Sequence, residues 1–221
     1  MLFDLGNVLV RIAPEAFLQK LGLDTPENRR FYQPHVTEIV RQYESGTDDT
    51  DEFLSKLDAL FNGGRGEASG SPHGREFSPD DLRDAMLAIM QTPIEGMLEL
   101  VTSLSNNVPL GLLSNTNPLH YEMCMNRYPA LNHIHSHFLS YRLKALKPQP
   151  EIFSKVTKKM AVAPGEILYV DDLPENVEAG RNAGFNSYLF RWYHEFEQRL
   201  RTATLLYLFR LPGCSPTLFQ S

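Results

Sequence analysis

Cysteine is almost missing from this chain. Two occur in 221 residues, Cys124 and Cys214, and neither sits in a CxxC or other zinc-type spacing. A disulfide framework or a zinc site is therefore not what organises the fold, and a reducing, cytoplasmic compartment is the expectation. Long apolar runs are missing as well. Nothing approaches the roughly 20 apolar residues of a membrane span, and the apolar stretch at 205–209 is far too short. The start carries no basic leader, and Asp4 and Arg11 interrupt its apolar run, so no cleaved signal peptide is expected. Positive charge is not in excess: 21 Lys and Arg stand against 27 Asp and Glu, a net charge of −6. That balance argues against nucleic acid or an anionic membrane as the main partner. No internal repeat is apparent.

What is present is the composition of an ordinary globular protein, 42% hydrophobic and 22% charged. A chain of this length buries a full core without disulfides and has room for one domain plus a modest insert. Its organising stretch is the first, MLFDLGNVLV at 1–10. An apolar run ends in a single carboxylate, Asp4, Gly6 follows two residues later, and the apolar run resumes at residues 8–10. A strand that ends in Asp and turns on Gly puts one carboxylate at the rim of a sheet, where open α/β sheets bind ligands.

From Pro14 to about Met90 the pattern is helical and polar. Phe17, Leu18 and Leu21 predict one helix, Ile39, Val40 and Tyr43 a second with Gly46 after its end, and Phe53, Leu54, Leu57, Leu60 and Phe61 a third. Ser78-Pro79-Asp80-Asp81 reads as a helix start, with a Ser cap, Pro at the first position and acids in the first turn. From Thr92 onward helix and strand alternate. Short apolar runs end in Ser114-Asn115-Thr116-Asn117 and in Asp171-Asp172, and Lys147 stands just before a helix. Alternation of this kind predicts an α/β fold, a doubly wound, Rossmann-like parallel sheet. The helical block interrupts it directly after the first strand, as an inserted helical-bundle cap. The expected division is a core of residues 1–12 and 92–200 and a cap of 13–91. Within the cap, 62–76 is a flexible loop, and 201–221 is a tail without an assigned role.

In a parallel sheet the strand ends share one edge, so Asp4, Ser114, Asp171 and Asp172 can meet there. Three acids at one point call for a counter-charge, which magnesium supplies. Lys147 and the Ser114 hydroxyl would hold an anionic group. The set suits attack of Asp4 on phosphorus to form an aspartyl-phosphate that water hydrolyses. Taken singly, each residue has a plainer reading: Asp4 as a turn former, Ser114 as a cap, Lys147 as a solvated charge, Asp171 and Asp172 as a helix cap. Tyr43 and Glu44 read most simply as a solvated helix end. His35, His120, His133, His135 and His137 show no metal-ligand spacing.

FDLGNVLV, LLSNTN, LKPQPEIF and YVDDLPENVEAGRNAGF, in that order, resemble motifs one to four of the haloacid dehalogenase-like hydrolase superfamily, with a helical cap between motifs one and two. The resemblance runs from Met1 to about Arg191 and is nearest to the bacterial sugar-phosphate phosphatase branch, which includes a glucose-1-phosphate phosphatase. It implies a fold, an activity and roles. Asp4 is the nucleophile and a magnesium ligand, and the Gly6 carbonyl and Asp172 complete the protein ligands for the metal. Ser114 and Asn115 bind phosphate, Lys147 serves both catalysis and phosphate binding, and Asp171 and Asn176 support from behind. The substrate is a small phosphorylated metabolite, and the chain is a monomer or a homodimer. One departure stands out: most phosphatases of the superfamily carry Asp two residues after the nucleophile as general acid and base, and here that residue is Gly6. An anomeric phosphate is a better leaving group than an alkyl phosphate, so the departure suits a sugar 1-phosphate. Two alternatives stay open: a hydrolytic 2-haloacid dehalogenase, and a catalytically weak binding or regulatory protein of the same fold.

Overall fold

A computed structural model of the chain describes residues 1–63, 75–160 and 162–208. Most of the loop expected at 62–76 and the last part of the tail, from 209 on, lie outside the described residues. In chain order the elements are β1 (Leu2–Phe3), β2 (Val10–Ile12), α1 (Ala16–Lys20), α2 (Pro26–Glu44), α3 (Thr50–Asn62), α4 (Pro79–Leu87), β3 (Met90–Pro93), α5 (Met97–Ser105), β4 (Gly111–Ser114), α6 (Pro118–Arg127), β5 (Ser136–Leu139), α7 (Ser140–Leu143), α8 (Pro150–Lys159), β6 (Leu168–Asp171), α9 (Pro174–Asn182), β7 (Asn186–Leu189) and α10 (Tyr193–Leu208).

Five strands form one parallel sheet in the order β5-β4-β1-β6-β7. The first strand is therefore central. The chain builds β4 and β5 on one side of it and then crosses to build β6 and β7 on the other, so the order reverses at β1. A reversal of this kind opens a crevice at the carboxyl ends of the strands. The two-residue period of the strands sends alternate side chains to opposite faces. Leu2, Leu113 and Tyr169 pack with Ile152, Phe153 and Val156 of α8. Phe3, Leu112 and Val170 pack with Met97 and Val101 of α5, Cys124 of α6 and Phe196 of α10. Helices cover both faces, the arrangement a parallel sheet needs because neither face can meet water.

Between β2 and β3, helices α1 to α4 bury Phe17, Tyr32, Phe53, Leu57, Phe61 and Met86 in a second cluster, which Leu119 of α6 joins from the core side. Asp49 and Glu52 close a capping box on α3, and Ser78 and Asp81 do the same on α4. Helix α2 starts at a Thr25 cap and runs through Pro34. Sequence periodicity finds only its last turns, because a proline inside a helix breaks the pattern that marks one. Strands β2 and β3 pair antiparallel, Val10 opposite Pro93 and Ile12 opposite Met90. The sequence reading ends the first strand at Asp4 and has the apolar run resume at residues 8–10, but it does not anticipate this antiparallel stem. The chain turns at Asn7, whose φ of 52° is left-handed, and Leu9 and Val10 both donate main-chain hydrogen bonds to the Leu5 carbonyl. Asn tolerates that backbone better than other side chains.

Two buried polar side chains tie the insert to the sheet. The Ser140 hydroxyl accepts from the Thr116 N–H at 3.0 Å and donates to the Glu44 carbonyl at 2.6 Å. The His120 ring donates from Nε2 to the Met86 carbonyl at 2.8 Å, and its Nδ1 accepts from Asn117 Nδ2 at 3.1 Å. Since a carbonyl only accepts, His120 is held neutral, and burial pushes its pKa down to about 4. An unfolded chain binds this proton near pH 6.5, so the folded state is penalised as pH falls from about 6.5 toward 4. Stability is expected to drop by up to about 3 kcal/mol across that window from this residue. Urea unfolding of the parent and of His120→Gln at pH 7.5 and 5 checks it: the variant starts less stable at pH 7.5 and loses less on acidification.

Candidate active site

The crevice at the strand reversal is a cavity of about 620 Å³ between sheet and insert. Asp4 enters it from the end of β1, Ser114, Asn115 and Thr116 from the end of β4, Lys147 from the loop before α8, and Asp172 and Asn176 from beyond β6. Helix α2 supplies the facing wall with Gln33, Thr37, Arg41 and Glu44.

Lys147 is the hub. Its ammonium lies 3.0 Å from Asp4 Oδ1 and 2.6 Å from Asp171 Oδ2, with its side chain 1% exposed. Burial alone would lower its pKa; the charges of Asp4 and Asp171 outweigh this and raise it. The two carboxylates share the cation unequally. Asp171 Oδ2 takes the shorter bond to Lys147 and also accepts from the Tyr169 hydroxyl. Its Oδ1 accepts from the Leu173 N–H at 2.9 Å and from Asn176 Nδ2 at 3.0 Å. Against the cost of burial, Lys147 and these donors hold Asp171 below the usual carboxylate range. Asp4 is less well served. Its Oδ1 accepts from Lys147 and from the Leu5 N–H at 2.7 Å, and its Oδ2 has no hydrogen-bond partner among the described residues. Burial pushes Asp4 up to about 7, opposed by Lys147 and reinforced by Asp171.

Asp172 is half-buried and accepts at Oδ2 from Asn7 Nδ2 at 3.2 Å; burial raises its pKa as well. One carboxylate oxygen each from Asp4, Asp171 and Asp172 lies within 4.8 Å of the others. Three carboxylates thus face one ammonium, an excess of two negative charges in a poorly solvated crevice. Asp171 has spent its lone pairs on protein donors, so the oxygens open to a ligand belong to Asp4 and Asp172.

The residues singled out from the sequence do meet here, and some take unexpected partners. Asn115 uses its whole amide on the Lys147 main chain: Nδ2 donates to the Lys147 carbonyl at 2.9 Å and Oδ1 accepts from the Lys147 N–H at 2.8 Å. This fixes the lysine backbone to the loop after β4. The Ser114 hydroxyl makes only a long contact, 3.4 Å, to the Asn115 carbonyl. Among the described residues, the Asn176 side chain bonds only to Asp171. Three contributors escape the sequence reading. Asn7 orients Asp172 and also accepts from the Ile12 N–H at 3.1 Å. Tyr169 binds Asp171, and its signal was available, because residues two apart in a strand share a face. Glu44 is the third. In place of a solvated helix end, Tyr43 is fully buried and stacked on Phe53 with ring centroids 4.4 Å apart, while Glu44 lines the cavity. Burial pushes Glu44 up to about 7, with Asp4 adding and Lys147 opposing.

The family model described as haloacid dehalogenase-like hydrolase matches residues 1–184. A D-ribitol-5-phosphate phosphatase of Bacteroides thetaiotaomicron is 31% identical over 198 residues, covering 85% of this chain and 89% of that protein. The crystal structure of a HAD family enzyme from the same organism superposes with a TM-score of 0.74 at 26% identity, over 88% of this chain and 96% of that one. The same enzyme was also crystallised with magnesium and inorganic phosphate; that structure has a TM-score of 0.71 at 24% identity, over 88% and 97% of the two chains. A parallel sheet reversed at its first strand, with a lysine-bridged acidic cluster at that point and a family match over most of the length, places this chain in the haloacid dehalogenase-like hydrolase family.

Proposed function

We propose that the chain is a magnesium-dependent phosphatase for a small phosphorylated sugar or polyol, acting through an aspartyl-phosphate on Asp4. The observation that carries this reading is the state of Asp4: one oxygen held by Lys147 and the Leu5 N–H, the other open, at the floor of a cavity sized for a small ligand. The held oxygen fixes the carboxylate, and the open one is the nucleophile. Lys147 and the Ser114 hydroxyl receive the phosphoryl oxygens, together with main-chain N–H groups of the loop after β4. The insert closes the far side and keeps water from competing.

The donor set fits magnesium. It is all oxygen: the carboxylates of Asp4 and Asp172 would hold the ion, with Asn7 orienting Asp172, next to Gly6, whose carbonyl is the further protein ligand that the family resemblance implies. When bound, the ion supplies a Lewis acid that draws charge from the phosphoryl oxygens. The ribitol-phosphate relative and the magnesium–phosphate complex of the structural neighbour support the same chemistry. Dehalogenation needs no cation and would leave the Asn7–Asp172 arrangement without a task.

Release of inorganic phosphate from a panel of sugar and polyol phosphates, with and without magnesium, tests the reading. Turnover is expected only with magnesium, lost on chelation and restored by the ion. A panel without any turnover would favour the binding-protein alternative, and chelation-resistant release of halide would favour the dehalogenase. Asp4→Asn is expected to cut turnover by roughly 10³-fold or more while the circular dichroism spectrum stays that of the parent. Lys147→Ala leaves Asp4 and Asp171 facing each other without their cation. It is expected to weaken inhibition by phosphate or vanadate and to cost about 3–5 kcal/mol of stability in urea. Asn7→Ala is expected to raise the magnesium concentration for half-maximal activity by roughly 10-fold or more, with little change in the substrate concentration needed.

A further inference from the structure

The oxygen that leaves a phosphate monoester departs as an alkoxide unless it is protonated as the P–O bond breaks. Gly6 has no side chain to do this. A Cβ at Gly6 would sit 3.3 Å from Ile12 Cδ1, so Ile12 occupies the adjoining space.

The ionisable groups on the cavity wall are few, and all but one are committed. Asp4 is the nucleophile. Asp172 is held by Asn7 among the acids. Lys147 bridges Asp4 and Asp171. His120 gives its only proton to the Met86 carbonyl and receives one bond from Asn117. The Arg41 guanidinium does not release a proton in a protein. Glu44 remains. It projects from the last residue of α2 into the same cavity as Asp4, from the insert side. Its carboxyl group makes no hydrogen bond or ion pair among the described residues, and an enclosed carboxyl without a cation of its own retains a proton more readily than one in water.

The backbone that carries Glu44 is clamped to the core. Its carbonyl accepts the 2.6 Å bond from Ser140, whose hydroxyl also receives the Thr116 N–H. Two residues on, Gly46 has a φ of 72°, and a Cβ there would lie 2.2 Å from the Tyr141 carbonyl oxygen, so the insert rests directly on core backbone at this point. The same clamp reaches the loop that carries Ser114 and Asn115. Glu44 is thereby registered against the phosphate-binding loop, although it belongs to a different layer of the molecule.

We propose that Glu44 is the proton donor to the leaving-group oxygen, an assignment that rests on the phosphatase reading. Asp4 attacks phosphorus, the bond from phosphorus to the ester oxygen breaks, and that oxygen takes the Glu44 proton and departs as an alcohol. Water then attacks the phosphorus of the Asp4 phosphate and gives its proton to the Glu44 carboxylate. The bond to Asp4 breaks, phosphate leaves, and both side chains return to their starting states. The insert thus supplies the group that Gly6 lacks.

Glu44→Gln tests this with two substrates: D-ribitol 5-phosphate, whose alkoxide needs a proton, and p-nitrophenyl phosphate, whose phenolate does not. The variant is expected to lose kcat on the alkyl ester by roughly 10²–10⁴-fold, yet release nitrophenolate in the first turnover within about threefold of the parent rate. A burst followed by slow turnover marks the stalled Asp4 phosphate. Equal loss of the first-turnover rate on both esters, a change confined to KM, or no change would overturn the assignment, the first pointing to a brace or a folding defect. If the parent hydrolyses neither ester nor any member of the sugar and polyol phosphate panel, the phosphatase reading itself falls; if it hydrolyses an alkyl ester and p-nitrophenyl phosphate and the variant fails these criteria, only the role of Glu44 falls.

Discussion

One ammonium group shared between two buried carboxylates sets the terms for this site. Each carboxylate taken out of water costs several kcal/mol unless it is paired and hydrogen-bonded. Lys147 serves both Asp4 and Asp171, and a single positive charge cannot satisfy the pair. The structure resolves the conflict by unequal treatment. Asp171 collects four donors and becomes a fixed anion that anchors the lysine. Among the described residues Asp4 keeps one oxygen unpartnered and stays the less satisfied member of the pair, surrounded by a well-packed sheet.

The supporting geometry is that of the central strand. Because β1 lies between β4 and β6, its end is flanked by the polar ends of both neighbours. The chain also leaves the sheet here, through the Asn7 turn into β2, and comes back through β3. The insert is therefore rooted beside Asp4 and not at a distant edge. It meets the core through buried hydrogen bonds of Ser140 and His120 and through Leu119 of α6, which packs into the insert's apolar cluster. Directional hydrogen bonds at such a seam fix a geometry that apolar packing alone does not. The wall they hold in place carries Arg41 and Glu44, so the polar groups of the insert stand on one helix, apart from the acidic cluster on the sheet edge.

A surplus of two negative charges, a wall that excludes water and a neutral buried histidine at the seam are destabilising features by ordinary accounting. They are tolerated because the two apolar layers on either face of the sheet and the separate cluster within the insert are complete without them. Removing an ordinary hydrogen bond costs about 0.5–1.5 kcal/mol, whereas stripping the partner from a buried charge costs about 3–5 kcal/mol. Lys147 is accordingly a structural requirement of the acidic cluster.

Much of the site was legible in the amino-acid order, because strand ends in a parallel sheet fall on one edge whatever the loops between them do. Asp4, Ser114, Lys147, Asp171 and Asp172 each close an apolar run or precede a helix, and that local grammar suffices to bring them together. Partnership was not legible. Whether Asp171 or Asp172 is consumed by protein donors depends on which side of the β6 end each one faces, and nothing in the amino-acid order shows that the Asn115 side-chain amide pairs with the Lys147 backbone. Asn7 and Glu44 needed the fold most of all. The first acts through a left-handed turn that brings it to a residue 165 positions away. The second reads as solvent-facing until Ser140 and Gly46 dock its loop on the core. Local sequence decides which groups end an element and with what charge; only long-range packing decides which of them meet, because those contacts join segments that have no sequence relation to one another.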